Sequence, residues 1–157
     1  MVLDCVFSPD LMKVDLESED KEEVFEELVN LYVAANPSAS RAVILSAVKT
    51  REAKQSTGVK PAVALPHAQT DQVTGVKGII GISRKGIDYD ALDGKPVHVI
   101  FLLLSSADGC ALHLRALKRL STLLDDPAFY SSLISQTSAD GAYRVICKFE
   151  NILATSM

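Results

Sequence analysis

The apolar positions of the chain follow helical spacing in some segments and form short continuous runs in others. An acidic segment, residues 15–23, precedes the first helical pattern. The apolar positions of that pattern are Val24, Phe25, Leu28, Leu31, Tyr32 and Ala35. This spacing predicts an amphipathic helix with Ser18 as its N-cap. The sequence Asn36-Pro37-Ser38 then interrupts the pattern.

A second amphipathic helix is predicted after Ser40, which is a suitable N-cap. Its apolar face carries Val43, Ile44, Ala47 and Val48, and its last turn reaches Arg51 and Glu52. Arg51 follows Val48 by three residues and Ala47 by four, so it continues the buried face. The alternative is an arginine that extends into solvent at a helix C-terminus, where the helix dipole favours a cation.

A polar turn and a short apolar run lead to a histidine. The turn Gln55-Ser-Thr-Gly58 ends in a glycine that is free to adopt positive φ, and residues 59–65 are predicted to form a strand. Proline has no N–H for a strand ladder and disfavours helix at the residue before it. Pro66 is therefore predicted to close the strand and to place His67 at its end.

A histidine at a strand end is a candidate for chemistry, although many histidines in a domain of this size are structural. Short connections between consecutive elements predict that Arg51, Ser56 and Thr57 lie near His67. From the residues alone, both the functional and the structural interpretation of His67 remain open.

The middle of the chain predicts two more strands. Residues 76–83 form the first, Arg84-Lys-Gly86 turns the chain, and residues 87–94 form a loop. Residues 97–104 are a continuous apolar run, which is typical of a central strand that is covered on both faces. His98, near the start of this run, is predicted to be structural.

The C-terminal third is predicted to be helical. The longest helix ends at Asp125-Asp-Pro127, and its apolar positions are Leu112, Leu114, Ala116, Leu117, Leu120, Leu123 and Leu124. His113 lies in its first turn, close to the carboxyl end of the central strand, where open α/β sheets usually bind ligands. Two further helices are predicted around residues 129–134 and 143–149, the last one capped by Ser138.

Composition narrows the class of protein. The chain has 157 residues, of which 48% are apolar, and this suits one domain that spans residues 1–157. With 16 basic and 20 acidic residues the net charge is −4, and no basic run suggests nucleic-acid binding. No positively charged leader and no apolar run of membrane-spanning length is present. We therefore expect a soluble, cytoplasmic protein without direct membrane insertion.

The three cysteines, Cys5, Cys110 and Cys147, are an odd number at wide spacings, so we expect them to be reduced. Cys110 and His113 form a C-x-x-H pair. A structural zinc site needs four ligands, and no second Cys/His pair is present in the sequence, so zinc is disfavoured. A thiol enzyme with Cys110 as nucleophile and His113 as base remains an alternative, although no third, orienting group can be named.

Several short segments occur in a fixed order along the chain: Arg51-Glu-Ala-Lys-Gln-Ser-Thr-Gly58, Ala64-Leu-Pro-His67, Gly86-Ile-Asp-Tyr-Asp-Ala-Leu-Asp-Gly-Lys-Pro-Val97, Phe101-Leu-Leu-Leu104 and His113-Leu-Arg-Ala-Leu117. Together they resemble the enzyme IIA domain of the fructose/mannitol type from the bacterial phosphoenolpyruvate:sugar phosphotransferase system. This family includes the stand-alone nitrogen-regulatory enzyme IIA. The resemblance implies a mixed central β-sheet with helices on both faces.

The resemblance also implies a function. In this family a histidine accepts a phosphoryl group from the phosphohistidine of the carrier protein HPr and passes it to an enzyme IIB cysteine. Residue by residue, His67 matches the phosphorylated histidine, with Nε2 as the reacting nitrogen, Arg51 the arginine beside it, and His113 the second active-site histidine. We expect Ser56 or Thr57 to add a hydroxyl donor to the phosphate.

No Gly-rich phosphate loop or carboxylate cluster is present in the sequence, so we expect no metal, no ATP and no other cofactor. Because no IIB or IIC segment occurs in the chain, we expect a regulatory carrier of the nitrogen type, with a IIA subunit of a fructose/mannitol-type uptake system as the alternative. The chain departs from the common family pattern at Lys60-Pro61 and at Gln69.

Overall fold

The computed structural model describes residues 1–156, so Met157, the last residue of the predicted domain, lies outside the described residues. The helices are α1 (Leu3–Val6), α2 (Lys21–Ala35), α3 (Arg41–Lys54), α4 (Cys110–Leu124), α5 (Pro127–Ile134) and α6 (Ala139–Thr155). The strands are β1 (Met12–Lys13), β2 (Val63–Ala64), β3 (His67–Gln69), β4 (Val76–Ile87) and β5 (Val97–Ser105). Single 3₁₀ turns span Pro9–Leu11 and Ala107–Gly109.

The five strands form one mixed sheet in the order β1-β4-β5-β2, with β3 also paired to β5. Strand β4 is antiparallel to β5, while β2 and β3 are parallel to β5, and β1 is parallel to β4. This arrangement confirms the mixed sheet, which the family resemblance implied.

Strand β5 is the centre of the sheet, as its continuous apolar sequence predicts. Side chains at alternate positions enter two separate cores. Val99, Phe101 and Leu103 pack on the side of α1, α4, α5 and α6. Ile100, Leu102 and Leu104 pack on the side of α2 and α3. Helices therefore cover both faces, and the six side chains are fully buried.

The edge that carries His67 differs from the predicted single strand. Residues before Val63 form a turn, because Pro61 lacks an N–H and Ala62 takes a φ of 64°. Pro66 divides the edge into β2 and β3, although its carbonyl still accepts a hydrogen bond from Leu103 N at 3.0 Å. His67 therefore opens a second short strand rather than following the end of the first.

Two of the three predicted helix caps are confirmed. The Ser40 hydroxyl accepts a hydrogen bond from Val43 N at 3.3 Å, and Ser138 does the same for α6. The cap of α2 was predicted wrongly. Asp20 accepts from Glu23 N at 2.9 Å, because Asp20 is the residue that precedes the first helical turn, whereas Ser18 hydrogen bonds to Glu27.

Two further predictions need correction. Val43 is 46% exposed, so the buried face of α3 is formed by Ile44, Leu45, Val48 and Glu52 instead. Residues 84–86 do not end a strand, since β4 continues to Ile87 with irregular pairing after Ile82. The Arg84 guanidinium holds this irregular segment through hydrogen bonds to the carbonyls of Ile134, the last residue of α5, and of Gln136. Helix α1 and strand β1 had no sequence prediction.

Over the residues that the structure describes, no helix combines the length and the apolarity that crossing a membrane requires.

Gly58 is required for close packing and not for positive φ, which only Gly75, Gly86 and Gly94 adopt among the described glycines. A Cβ atom on Gly58 would lie 2.8 Å from Ala91 Cβ and 3.1 Å from the Tyr89 ring. The turn that follows α3 therefore packs directly against the loop that follows β4, and Leu92 N donates to Gly58 O at 3.1 Å.

We predict that Gly58→Ala lowers the free energy of unfolding by about 1–3 kcal/mol, because the added methyl group overpacks this contact. Urea denaturation followed by circular dichroism measures the change. Gln55→Ala, in the same turn but exposed, serves as the control and should change stability by less than about 0.5 kcal/mol. Equal stability of the two variants would contradict the packing role of Gly58.

Candidate functional site

The His67 side chain is held in one tautomer by the backbone. Its Nδ1 atom lies 3.0 Å from the carbonyl oxygen of Leu65. A carbonyl oxygen only accepts hydrogen bonds, so Nδ1 carries the proton and Nε2 keeps its lone pair. The half-buried ring thus offers Nε2 as a nucleophile, and the acceptor that fixes it, which no sequence motif indicates, is the residue before Pro66.

His113 lies beside His67, as its predicted position in the first turn of the long helix requires. The two ring centroids are 5.3 Å apart with an interplanar angle of 58°. Helix α4 begins shortly after the carboxyl end of β5. The connection between them is held in place by the hydrogen bond from Ser106 N to Gly75 O at 2.9 Å. His113 is only 8% exposed, and its Nδ1 has no hydrogen-bond partner within residues 1–156.

His113 is electrically neutral in this setting. Burial lowers its pKa, and the neighbouring His67 lowers it further. Because the ordinary pKa of histidine is about 6.5, the His113 ring is uncharged at neutral pH. It can therefore donate one N–H to an anion without first losing a proton.

Arg51 lies in the last turn of α3 and is half-buried. Its Nη1 atom donates to the carbonyl of Gln55 at 3.2 Å, so it caps the helix end. The same side chain lines an open groove of about 340 Å³ together with His67, Lys54 and Gln69. Arg51 can therefore both cap the C-terminus of α3 and line the groove beside His67. Its remaining N–H donors are available to a group bound at His67.

The hydroxyls of the polar turn have other partners. Thr57 is buried, and its single hydroxyl proton is donated to Glu52 Oε1 at 2.7 Å, while Tyr89 OH lies 2.8 Å from the same Thr57 oxygen. Ser56 Oγ accepts from Gly58 N at 3.2 Å and lines a different groove, together with Lys21 and Lys49. The structure thus places His67 in one groove with Arg51 and its ring beside that of His113, but it leaves the two hydroxyls outside that groove.

Sequence reasoning missed Glu52 as part of this region. It is 6% exposed although it is a glutamate, because Thr57, Tyr89 and Lys21 all bond to its carboxylate. The sequence did indicate that Glu52 is buried, since it follows Val48 by four residues on the buried face of a helix.

The cysteines are free within the described chain, and Cys110 is exposed. For residues 1–156 the hydrogen bonds include none between Cys110 and His113. No group of three or more His, Cys, Asp or Glu side chains with metal-binding geometry occurs in that part of the chain either.

The fold and the site together define a class of protein: an α/β domain that presents a nucleophilic imidazole of fixed tautomer at its surface, suited to carrying a small group on nitrogen. Residues 5–148 match the family described as "Phosphoenolpyruvate-dependent sugar phosphotransferase system, EIIA 2", and the chain belongs to this family. EIIA domains are phosphotransferases that carry phosphohistidine.

The relatives of the chain include both a fructose-specific PTS component and nitrogen-regulatory proteins. It is 35% identical over 135 residues to a "PTS system fructose-specific EIIABC component" of Bacillus subtilis, an alignment that covers 86% of this chain. The chain spans only 21% of that relative. The crystal structure of "Nitrogen Regulatory Protein IIA-Ntr" from Neisseria meningitidis has a TM-score of 0.84 at 28% identity, covering 92% of this chain and 99% of that one.

A second solved structure shares the fold alone. It is the complex of enzyme IIAMTL and phosphorylated enzyme IIBMTL from Escherichia coli, with a TM-score of 0.75 at 16% identity. The match covers 91% of this chain and 99% of that chain.

We predict that protonation of His113 contributes to acid destabilisation. The lowered pKa means that, below about pH 6.5, the unfolded chain binds a proton that the folded chain does not. This stability is complete above about pH 6.5 and is lost as the pH falls towards the lower folded pKa. Denaturation at several pH values should show a shallower acid decline for His113→Asn than for the wild type. Parallel declines would contradict the prediction.

Proposed function

We propose that His67 is the residue that carries the phosphoryl group, and that Nε2 receives it from the phosphohistidine of an HPr-type carrier protein. The observation that supports this proposal most is the hydrogen bond from His67 Nδ1 to Leu65 O at 3.0 Å. It leaves Nε2 as the one ring nitrogen with a free lone pair, on a half-buried side chain at an open groove.

The reaction needs no change of oxidation state and no external base. The Nε2 lone pair forms a bond to phosphorus while the P–N bond of the donor breaks, and the donor imidazole departs with that electron pair. Positive charge develops on the His67 ring as the new bond forms. The Leu65 carbonyl stabilises this charge because it already accepts the Nδ1 proton.

The transferred group is an anion, and Arg51 and His113 are the donors that we assign to it. Arg51 supplies a planar guanidinium from the side of α3. His113 supplies a neutral ring N–H from the side of α4, and its buried Nδ1 is without a partner in the described residues. An unsatisfied buried polar atom costs about 1–3 kcal/mol, which such a bond to phosphate offsets. We do not assign this role to Thr57, whose proton is given to Glu52.

We further propose that the phosphorylated chain passes the group to an enzyme IIB cysteine or acts as a regulatory switch in the cytoplasm. The Escherichia coli IIAMTL complex with phosphorylated IIBMTL supports the first role, and the similarity to the nitrogen-regulatory IIA-Ntr structure supports the second. Addition of about −1.5 to −2 charges at a surface groove is enough to change partner choice. Transfer of label to a purified fructose- or mannitol-type IIB domain distinguishes the two roles.

We predict that His67→Ala abolishes phosphorylation by phospho-HPr, because the nitrogen proposed to receive the phosphoryl group is removed. Incubation with enzyme I, HPr and labelled phosphoenolpyruvate, followed by acid-lability analysis, measures the incorporated label. His98→Ala is the matched control. His98 Nδ1 also lies close to a carbonyl, 2.8 Å from Ser83 O, but at the start of β5, and this variant should retain full labelling. Stoichiometric acid-labile phosphate on His67→Ala would disprove the assignment.

We predict that Arg51→Lys slows phosphoryl transfer by about 10-fold, the equivalent of about 1.4 kcal/mol, because lysine keeps the charge but loses the planar fork. Rapid-quench kinetics with phospho-HPr measures the rate. Arg41→Lys, at the other end of α3, where Arg41 bonds Asn30 at 2.6 Å, should leave the rate unchanged. An unchanged rate in both variants would leave Arg51 with its helix-capping role alone.

A further inference from the structure

Glu52 is a buried carboxylate that the proposed phosphoryl transfer does not use directly. It follows Arg51 on α3, but its side chain points into the protein and is 6% exposed. Its oxygens accept hydrogen bonds from Thr57 N at 2.8 Å, Thr57 Oγ1 at 2.7 Å and Tyr89 OH at 3.2 Å. Lys21 Nζ lies 3.0 Å from the same carboxylate.

The hydrogen bonds of Glu52 continue to the imidazole of His67. Thr57, which Glu52 holds through both its backbone N–H and its hydroxyl, accepts a hydrogen bond from Leu65 N at 3.2 Å. The carbonyl of the same residue, Leu65, is the acceptor of the His67 Nδ1 proton. Three consecutive links, Glu52–Thr57, Thr57–Leu65 and Leu65–His67, therefore join the buried carboxylate to the imidazole of His67.

We propose that Glu52 is a positioning residue, which holds the Leu65 carbonyl against His67 Nδ1 through Thr57 and so keeps Nε2 as the nucleophilic nitrogen. The proposal rests on the function proposed for His67 and deepens it. Glu52 is not proposed to touch the phosphoryl group, a role that we assign to the neighbouring Arg51.

A carboxylate is the group that suits this position, because every partner is a donor. Thr57 N, the Thr57 hydroxyl, Tyr89 OH and Lys21 Nζ all present hydrogens to the two oxygens of Glu52. Burial raises the pKa of Tyr89, so the Tyr89 hydroxyl keeps its proton. A glutamine would have to direct an N–H towards one of these donors, and that contact would be lost.

The burial of this charge is itself unfavourable unless it is well compensated. Here Lys21 pairs with Glu52 and also lies over the Tyr89 ring, 4.8 Å from its centroid. Such a network fixes the conformation of the turn between α3 and β2 more firmly than apolar packing would, because each donor has a defined direction. The same turn contains Gly58, packed tightly against Ala91.

The test is Glu52→Gln, studied first in the unphosphorylated protein. Imidazole ¹⁵N chemical shifts report which ring nitrogen of His67 carries the proton. The wild type should show predominantly the Nδ1–H tautomer, and Glu52→Gln a mixture with a substantial Nε2–H population. Transfer from phospho-HPr should then slow by about 10- to 100-fold, as expected when a reacting group is misplaced by about 1 Å or less.

Glu150→Gln is the matched control. Glu150 is also fully buried, accepts hydrogen bonds from Val2 N at 3.1 Å and Leu3 N at 3.0 Å, and pairs with Arg119 at 3.3 Å. It lies at the junction of α1 and α6, without a link to His67 through these bonds. Both Glu150→Gln and Glu52→Gln should lower the melting temperature. Glu150→Gln, however, should leave the His67 tautomer and the transfer rate unchanged.

Thr57→Val provides a second route if Glu52→Gln does not fold. It removes the hydroxyl link but keeps the backbone bond to Glu52, so the tautomer and rate should shift in the same direction by a smaller amount. Wild-type tautomer and rate in both variants, with only a loss of stability like that of Glu150→Gln, would overturn the proposal.

The tautomer measurement needs no phosphoryl donor, so it separates the two proposals. A wild type that phospho-HPr does not phosphorylate, combined with a tautomer change in Glu52→Gln, would reject the proposed function while supporting the positioning role. A wild type phosphorylated on His67, combined with an unchanged tautomer in both variants, would do the reverse.

Discussion

The hydrogen bond between His67 Nδ1 and the Leu65 carbonyl is the contact on which the proposed chemistry of this protein depends. It joins residues two apart across Pro66, so the local backbone must fold back far enough for a ring to meet a carbonyl. Strand β5 makes this possible because it holds the chain on both sides of the proline. Ala64 pairs with Ile100 and His67 pairs with Leu103 in parallel register. The buried central strand thus determines the conformation of the nucleophile.

The surroundings of His67 combine two dielectric environments. On one side His113 is buried and neutral, since desolvation disfavours its charged form. On the other side Arg51 and Lys54 line an open groove in which solvent screens their charge. His67 therefore has an uncharged imidazole on one side and cationic side chains at a groove on the other. This asymmetry fits the role proposed for His67, because a carrier must stabilise the phosphate enough to accept it and still release it to another protein.

Membership of the EIIA family is compatible with more than one biological role. The chain matches about a fifth of a fructose-specific EIIABC component and nearly the full length of a solved nitrogen-regulatory IIA structure. We propose the same phosphoryl-carrying chemistry of His67 for either role. Surface residues around the groove, including Gln69, are therefore where partner preference is expected to reside.

One departure from the family pattern, Lys60-Pro61, lies in the turn before β2. Lys60-Pro61 precedes Ala62, which adopts a φ of 64°, and the Ala62 carbonyl accepts hydrogen bonds from His98 N at 2.7 Å and Val99 N at 3.1 Å. The unusual dipeptide thus belongs to a turn that anchors the start of β2 on β5.

The sequence by itself determined the features that depend on local periodicity. The amphipathic helices, the central strand and the positions of His67, Arg51 and His113 follow from apolar spacing, from proline next to histidine, and from the order of motifs that resembles one family.

Tertiary structure decided the features that depend on contacts between residues far apart in the sequence. Tyr89, 32 residues away, together with Glu52 takes the Thr57 hydroxyl out of the predicted phosphate site. Close packing against Ala91 explains why residue 58 is a glycine, and Leu103 N holds the Pro66 carbonyl on the sheet where the edge strand is divided. The acceptor for His67 is a backbone carbonyl, which every residue has, so no residue type marks it, and only the fold could show that Leu65 provides it.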